Sequence, residues 1–158
     1  MHPEYEEPVG SGTPAVEYYV FDGVPIPDEV YEQAMISENK AYTEDPILTE
    51  FMLSPTMRRM FSRHSQFDRT GICLSSVHVH IGYRGLTAHS HDYEFPNVLS
   101  AVIYLNDGTG ALVIDPDGIN VEVLPKAGRL VLMSSSIVHA VKPSVQAELR
   151  VALVANYE

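Results

Sequence analysis

Leu99-Ser100-Ala101-Val102-Ile103-Tyr104-Leu105-Asn106-Asp107-Gly108-Thr109-Gly110-Ala111-Leu112-Val113-Ile114-Asp115-Pro116-Asp117-Gly118 reads as two strands, each closed by a turn. Apolar residues rich in β-branched and aromatic types fill Leu99 to Leu105 and Ala111 to Ile114, which suits a pleated, largely buried surface. The Asn106–Gly110 and Asp115–Gly118 runs supply the dihedral angles that tight turns need. The pattern extends in both directions. Upstream lies Leu74 to Ile81; downstream lie Val121 to Leu124, the turn Pro125-Lys126-Ala127-Gly128, Arg129 to Met133, Val138 to Val141 and Leu149 to Val154. Short strands at this pitch imply an antiparallel barrel, sandwich or jelly roll.

Ahead of Gly71 the chain has a different character. Residues 1–15 are acidic and broken by Pro3, Pro8, Gly10, Gly12 and Pro14, a composition expected of a flexible tail, with order beginning at Val16. Val16 to Phe21 reads as a strand. Pro25 to Glu29 then leads into a helix that carries Val30, Tyr31 and Ala34, with Asp28 as its expected N-cap. From Pro46 to His64 apolar residues recur at three- and four-residue intervals, and Pro55 is expected to break or kink that helix. Methionine and aromatic residues at such spacing are core material. The expectation is one domain over residues 16–158, mainly β, with flanking N-terminal helices covering one sheet.

Ten Lys plus Arg stand against twenty-one Asp plus Glu, a formal charge of −11. A field of that sign repels phosphate backbones and anionic headgroups, so neither nucleic acid nor a membrane is the expected partner. The one cysteine, Cys73, sits in apolar sequence and reads as a core thiol in a reducing compartment. No signal peptide or spanning segment is legible, so a cytoplasmic location is expected. Oligomeric state is not readable.

Five of the seven histidines, His78, His80, His89, His91 and His139, fall in the strand-rich part. His89-Ser90-His91 is an i, i+2 pair, which on an extended backbone puts both imidazoles on one face. His139 follows a turn and strand that return it across the same sheet, giving three imidazoles for one first-row metal. Iron, zinc, copper and nickel all accept such ligands. His78 and His80 form a second pair, with Val77, Val79 and Ile81 on the opposite face; they are rivals for the metal, substrate contacts, or simply solvent-facing.

Gly82-Tyr83-Arg84-Gly85-Leu86-Thr87-Ala88-His89-Ser90-His91 resembles the strand and turn that deliver the first metal ligands in prolyl-hydroxylase-like 2-oxoglutarate oxygenases. Leu99 to Asn106, Gly110 to Asp115, Pro125 to Met133, His139-Ala140-Val141-Lys142-Pro143 and Arg150 resemble that family's later landmarks, in the same order. The likeness covers about residues 72–158 and implies a double-stranded β-helix (jelly roll) there. It implies Fe(II), 2-oxoglutarate and O2, with ascorbate as a possible reductant, and a hydroxylase acting on a C–H bond of a peptide or small molecule, prolyl residues being one case.

Carried over residue by residue, the resemblance makes His89 and His139 imidazole ligands of iron. It makes Arg150 the bidentate partner of the distal carboxylate of 2-oxoglutarate and Tyr104 a second contact to it. The family's carboxylate ligand stands two residues after the first histidine, and here that position is His91, followed by Asp92. His91 replacing the carboxylate, Asp92 reaching the metal, and His91 serving as the first ligand all remain open, with His89, His91 and His139 preferred. Tyr83, Arg84, His78, His80 and the loop from Tyr93 to Asn97 are expected either around the cavity mouth or as ordinary surface residues. Two rival readings stand beside this one. A cupin would use His89, His91, Glu94 and His139, and a non-catalytic β-barrel binding domain would satisfy its histidines locally.

Overall fold

A computed structural model describes residues 18–37, 45–62, 74–90, 99–145 and 149–158. In chain order its elements are β1 (Tyr18–Phe21), α1 (Asp28–Ile36), α2 (Pro46–Met52), α3 (Pro55–Ser62), β2 (Leu74–Gly82), β3 (Leu86–His89), β4 (Leu99–Tyr104), β5 (Leu112–Ile114), β6 (Val121–Val123), β7 (Leu130–Ser134), β8 (His139–Val141) and β9 (Arg150–Tyr157). The strands form a five-stranded sheet ordered β1-β7-β4-β9-β2 and a four-stranded sheet ordered β3-β8-β5-β6. Every pairing is antiparallel. From β2 onward the chain passes back and forth between the sheets, which is the winding of a jelly roll.

Alternation along the strands makes two cores. One face of the larger sheet sends Phe21, Val77, Val79, Ile81, Leu99, Ala101, Ile103, Leu130, Leu132, Val151, Leu153, Ala155 and Tyr157 against Val30, Leu48, Phe51, Met52, Met57, Met60 and Phe61 of the helices. The other face sends Tyr18, Val20, Val102, Tyr104, Val131, Met133 and Ala152 against Leu112 and Ile114 of the smaller sheet. Helices therefore cover one sheet only, as expected of the N-terminal half.

Local chemistry accounts for the element ends. The Pro46 to His64 periodicity becomes two helices, with α3 starting at Pro55, since that residue lacks the N–H a continuing helix requires. Asp45 caps α2, its carboxylate accepting from the N–H groups of Ile47 (2.9 Å) and Leu48 (3.2 Å). α1 departs from expectation. Extended Pro27 occupies the N-cap position and Asp28 is the first helical residue, making no side-chain cap bond. There its charge still faces the positive end of the helix dipole.

Asp22, just past β1, holds the Arg129 guanidinium at 2.6 Å and 3.0 Å, tying β1 to the turn before β7. Gly128 in that turn has φ +82°, and a Cβ there would lie 2.9 Å from the Val24 carbonyl oxygen, so the position suits glycine alone. No helix among the described residues is long and apolar enough to cross a membrane. The expected tail, Cys73 in the core, and the loop from His91 to Val98 lie outside the described residues.

Candidate active site

Strand register stacks the inward side chains of the larger sheet in layers. Arg150 pairs with Gly82; the next layer is Tyr104–Ala152–His80, and the next is Val102–Val154–His78. Because Val77, Val79 and Ile81 pack toward the helices, His78 and His80 must face the space between the sheets. On the smaller sheet His89 pairs with His139, and His139 with Ile114; one step along, Val141 lies between Leu86 and Leu112.

These side chains line a partly open cavity of about 60 Å³. Its walls include all four of His78, His80, His89 and His139, together with Tyr104, Arg150 and an apolar lining of Leu86, Val102, Leu112, Val141, Ala152 and Val154. The His89 and His139 rings stand 4.4 Å apart between centroids, tilted by 56°. Each ring holds its Nδ1 near the carbonyl oxygen two residues earlier, Thr87 at 2.8 Å and Ile137 at 3.1 Å. A carbonyl only accepts, so both Nδ1 atoms donate, and in the neutral ring Nε2 is then the nitrogen that bears the lone pair. Two imidazoles preset in this way are a donor set suited to a divalent first-row metal.

Arg150 is 1% exposed. Its guanidinium donates to the carbonyl oxygens of Arg84 (2.6 Å), Lys142 (3.2 Å) and Gly110 (3.4 Å) and to the Ser144 hydroxyl (3.4 Å). All four acceptors are neutral. Ion pairs among the described residues join Asp22 to Lys126 and Arg129, and Glu122 to Lys142; none involves Arg150. A buried guanidinium stays charged and is costly without an anion. Burial lowers the pKa of Arg150 and the Tyr104 phenol opposes that shift.

Tyr104 is 2% exposed, and burial pushes its phenol up to about 12, against the opposing pull of Arg150. It is therefore a neutral O–H donor at ordinary pH. The His80 imidazole is held below its usual range by burial and then by the Arg150 charge. Gly110 makes this arrangement possible, because a Cβ there would overlap the Arg150 guanidinium and lie 2.8 Å from the Lys142 carbonyl oxygen.

The structure thus gathers six of the residues singled out in the sequence into one cavity: His78, His80, His89, Tyr104, His139 and Arg150. Of these, His78 and His80 line its interior and are half-buried. Tyr83 and Arg84 are exposed at the turn after β2 and line a neighbouring cleft of about 480 Å³, which shares His80 and Leu86 with the inner cavity. His91, Asp92, Tyr93, Glu94 and Asn97 lie outside the described residues. Among the described residues no cluster of three His, Cys, Asp or Glu side chains forms a complete metal site. Sequence reasoning read Gly110 as a turn and landmark residue and missed both its close approach to Arg150 and the carbonyl cradle of that arginine.

Comparison with known proteins joins this geometry to a family. The model of the 2OG-Fe(II) oxygenase superfamily matches residues 74–158, more than half of the chain. The chain belongs to the 2OG-Fe(II) oxygenase superfamily. Its cofactor is Fe(II) and its co-substrate 2-oxoglutarate, used with O2. No curated protein matches the sequence.

Solved structures show the same fold at low identity. The non-heme α-ketoglutarate-dependent carbocyclase SnoK of nogalamycin biosynthesis is 16% identical with TM-score 0.71, over 89% of this chain and 78% of that one. The epimerase SnoN of the same biosynthesis is 19% identical with TM-score 0.64, over 89% and 77%. HygX from Streptomyces hygroscopicus, solved with iron bound, is 11% identical with TM-score 0.71, over 90% and 82%.

Proposed function

We propose that this oxygenase hydroxylates a C–H bond of a small-molecule or peptide substrate, with His89, His139 and a third donor from His91 or Asp92 holding Fe(II). Arg150 and Tyr104 bind the distal carboxylate of 2-oxoglutarate. The observation that carries this reading is the buried Arg150 guanidinium, whose described partners are all neutral, in the same cavity as a preset imidazole pair. Bound Fe(II), with 2-oxoglutarate and O2, supplies oxidation of the C–H bond coupled to decarboxylation of the 2-oxo acid.

The chain's own residues do the rest. The carbonyl oxygens of Thr87 and Ile137 fix the orientation and tautomer of the two imidazoles. Arg150, held by its carbonyl cradle, presents a planar fork, and Tyr104 adds a neutral donor beside it. Leu86, Val102, Leu112, Val141 and Val154 keep the walls apolar, which limits water at the reacting centre.

Anaerobic addition of Fe(II) and then 2-oxoglutarate is expected to produce the weak visible absorption of the chelated complex. His139→Ala is expected to lose the band. Arg150→Lys, which keeps charge without the fork, is expected to need about 10- to 100-fold more 2-oxoglutarate, the equivalent of one or two charge-assisted hydrogen bonds. A wild type that binds iron and shows no band with 2-oxoglutarate would overturn the assignment. Since two neighbours are named an epimerase and a carbocyclase, mass analysis of the product decides whether a hydroxyl is the outcome.

A further inference from the structure

We propose that His80 is a third anchor for the distal carboxylate of 2-oxoglutarate, placed across Ala152 from Tyr104, and that it makes the pocket select a dicarboxylic 2-oxo acid. The inference rests on the co-substrate site described above and extends it to a residue outside the proposed iron ligands.

Register carries the argument. Tyr104, Ala152 and His80 stand opposite one another on β4, β9 and β2, and Arg150 is the next inward residue on the central strand of the three. Ala152 is small, and Tyr104 and His80, which flank it in the register, line the same pocket as Arg150. A carboxylate has two oxygens and about four lone-pair positions. The Arg150 fork and the Tyr104 hydroxyl fill up to three of them, and a carboxylate brought into a buried, largely apolar cavity is costly wherever a position stays unfilled. Among the described residues His80 is the remaining polar side chain in that layer of the cavity.

His80 supplies what is missing without a second charge. Burial and the Arg150 charge favour its neutral form, which still has one N–H to donate. One carboxylate then meets one cation and two neutral donors. His80 also faces the outer cleft, which it shares with Leu86, so it stands at the boundary between the co-substrate pocket and solvent.

The test is anaerobic titration of the Fe(II) protein with 2-oxoglutarate and with 2-oxobutanoate, which chelates iron in the same way but lacks the distal carboxylate. The visible band is read for wild type, His80→Leu and His80→Gln. His80→Leu is expected to raise Kd for 2-oxoglutarate about tenfold and to leave Kd for 2-oxobutanoate unchanged; His80→Gln, which keeps an N–H donor, is expected to recover to within about threefold of wild type. An unchanged Kd for 2-oxoglutarate in His80→Leu would overturn the proposal, and so would equal weakening of both acids, the mark of general damage to the pocket. A wild type that gives no band with 2-oxoglutarate would overturn the underlying site as well, and so is distinct from failure of His80 alone.

Discussion

Tyr104 carries a single hydroxyl whose value depends on where it sits. On the inner face of β4, at 2% exposure and beside Arg150, it stays protonated and can donate into the space between the sheets. A hydrogen bond from such a group to a carboxylate contributes about 1.5–3 kcal/mol. Tyr104→Phe keeps the ring in the core it shares with Leu112 and Val102, so the fold has little reason to change. The expected outcome is a 10- to 100-fold rise in Kd for 2-oxoglutarate with Fe(II) affinity unaltered, read by anaerobic titration. Equal 2-oxoglutarate affinity in wild type and variant would remove Tyr104 from the site. In the sequence Tyr104 was singled out only through the family resemblance, as a second contact to the carboxylate. Its electrostatic setting was not legible there, since that comes from Arg150, forty-six positions away in the chain.

Elements were legible where their causes are local. Alternation alone put Val77, Val79 and Ile81 opposite His78 and His80, and Pro55 alone divided the helical stretch. The cap of α1 misled, because an extended proline fills the N-cap position as readily as an aspartate. Pairing of β3 with β8 sets His89 against His139, in keeping with the expected return of His139 across the sheet, but its register was not legible because no local rule fixes contacts fifty residues apart. Gly110 shows the same limit, since its need for no side chain is set by β9. Gly110→Ala is expected to displace the Arg150 guanidinium and weaken 2-oxoglutarate binding about 100-fold while metal binding persists, because His89 and His139 stand on other strands. The helical layer has its own tie. The Tyr157 hydroxyl at the end of β9 donates at 2.7 Å to the carbonyl of Met52, the last residue of α2, where helix geometry leaves carbonyls without partners. Tyr157→Phe keeps the edge-to-face contact with Phe61 and leaves that carbonyl unpaired, for an expected loss of about 1–3 kcal/mol in denaturant unfolding.

At the scale of the whole molecule, two cores share one sheet, and both hold buried phenols. Tyr157 lies under the helices, Tyr18 and Tyr104 lie between the sheets, and burial raises the pKa of all three. In the unfolded chain all three would ionise near the ordinary value of about 10. Above that pH the unfolded chain has given up protons that the folded chain still holds, so folding stability must fall as pH rises. The fall begins near the unfolded value and continues through the Tyr104 value of about 12 and beyond it, since the Tyr157 phenol is raised further. Melting temperature followed from pH 8 upward is therefore expected to hold level to roughly pH 9.5 and then drop. The Tyr104→Phe variant should drop less steeply between about pH 10 and 12, because it has lost one of the linked protons. An identical alkaline slope in wild type and variant would mean that the phenol ionises without unfolding the barrel, and that the space between the sheets admits water more freely than its apolar lining implies.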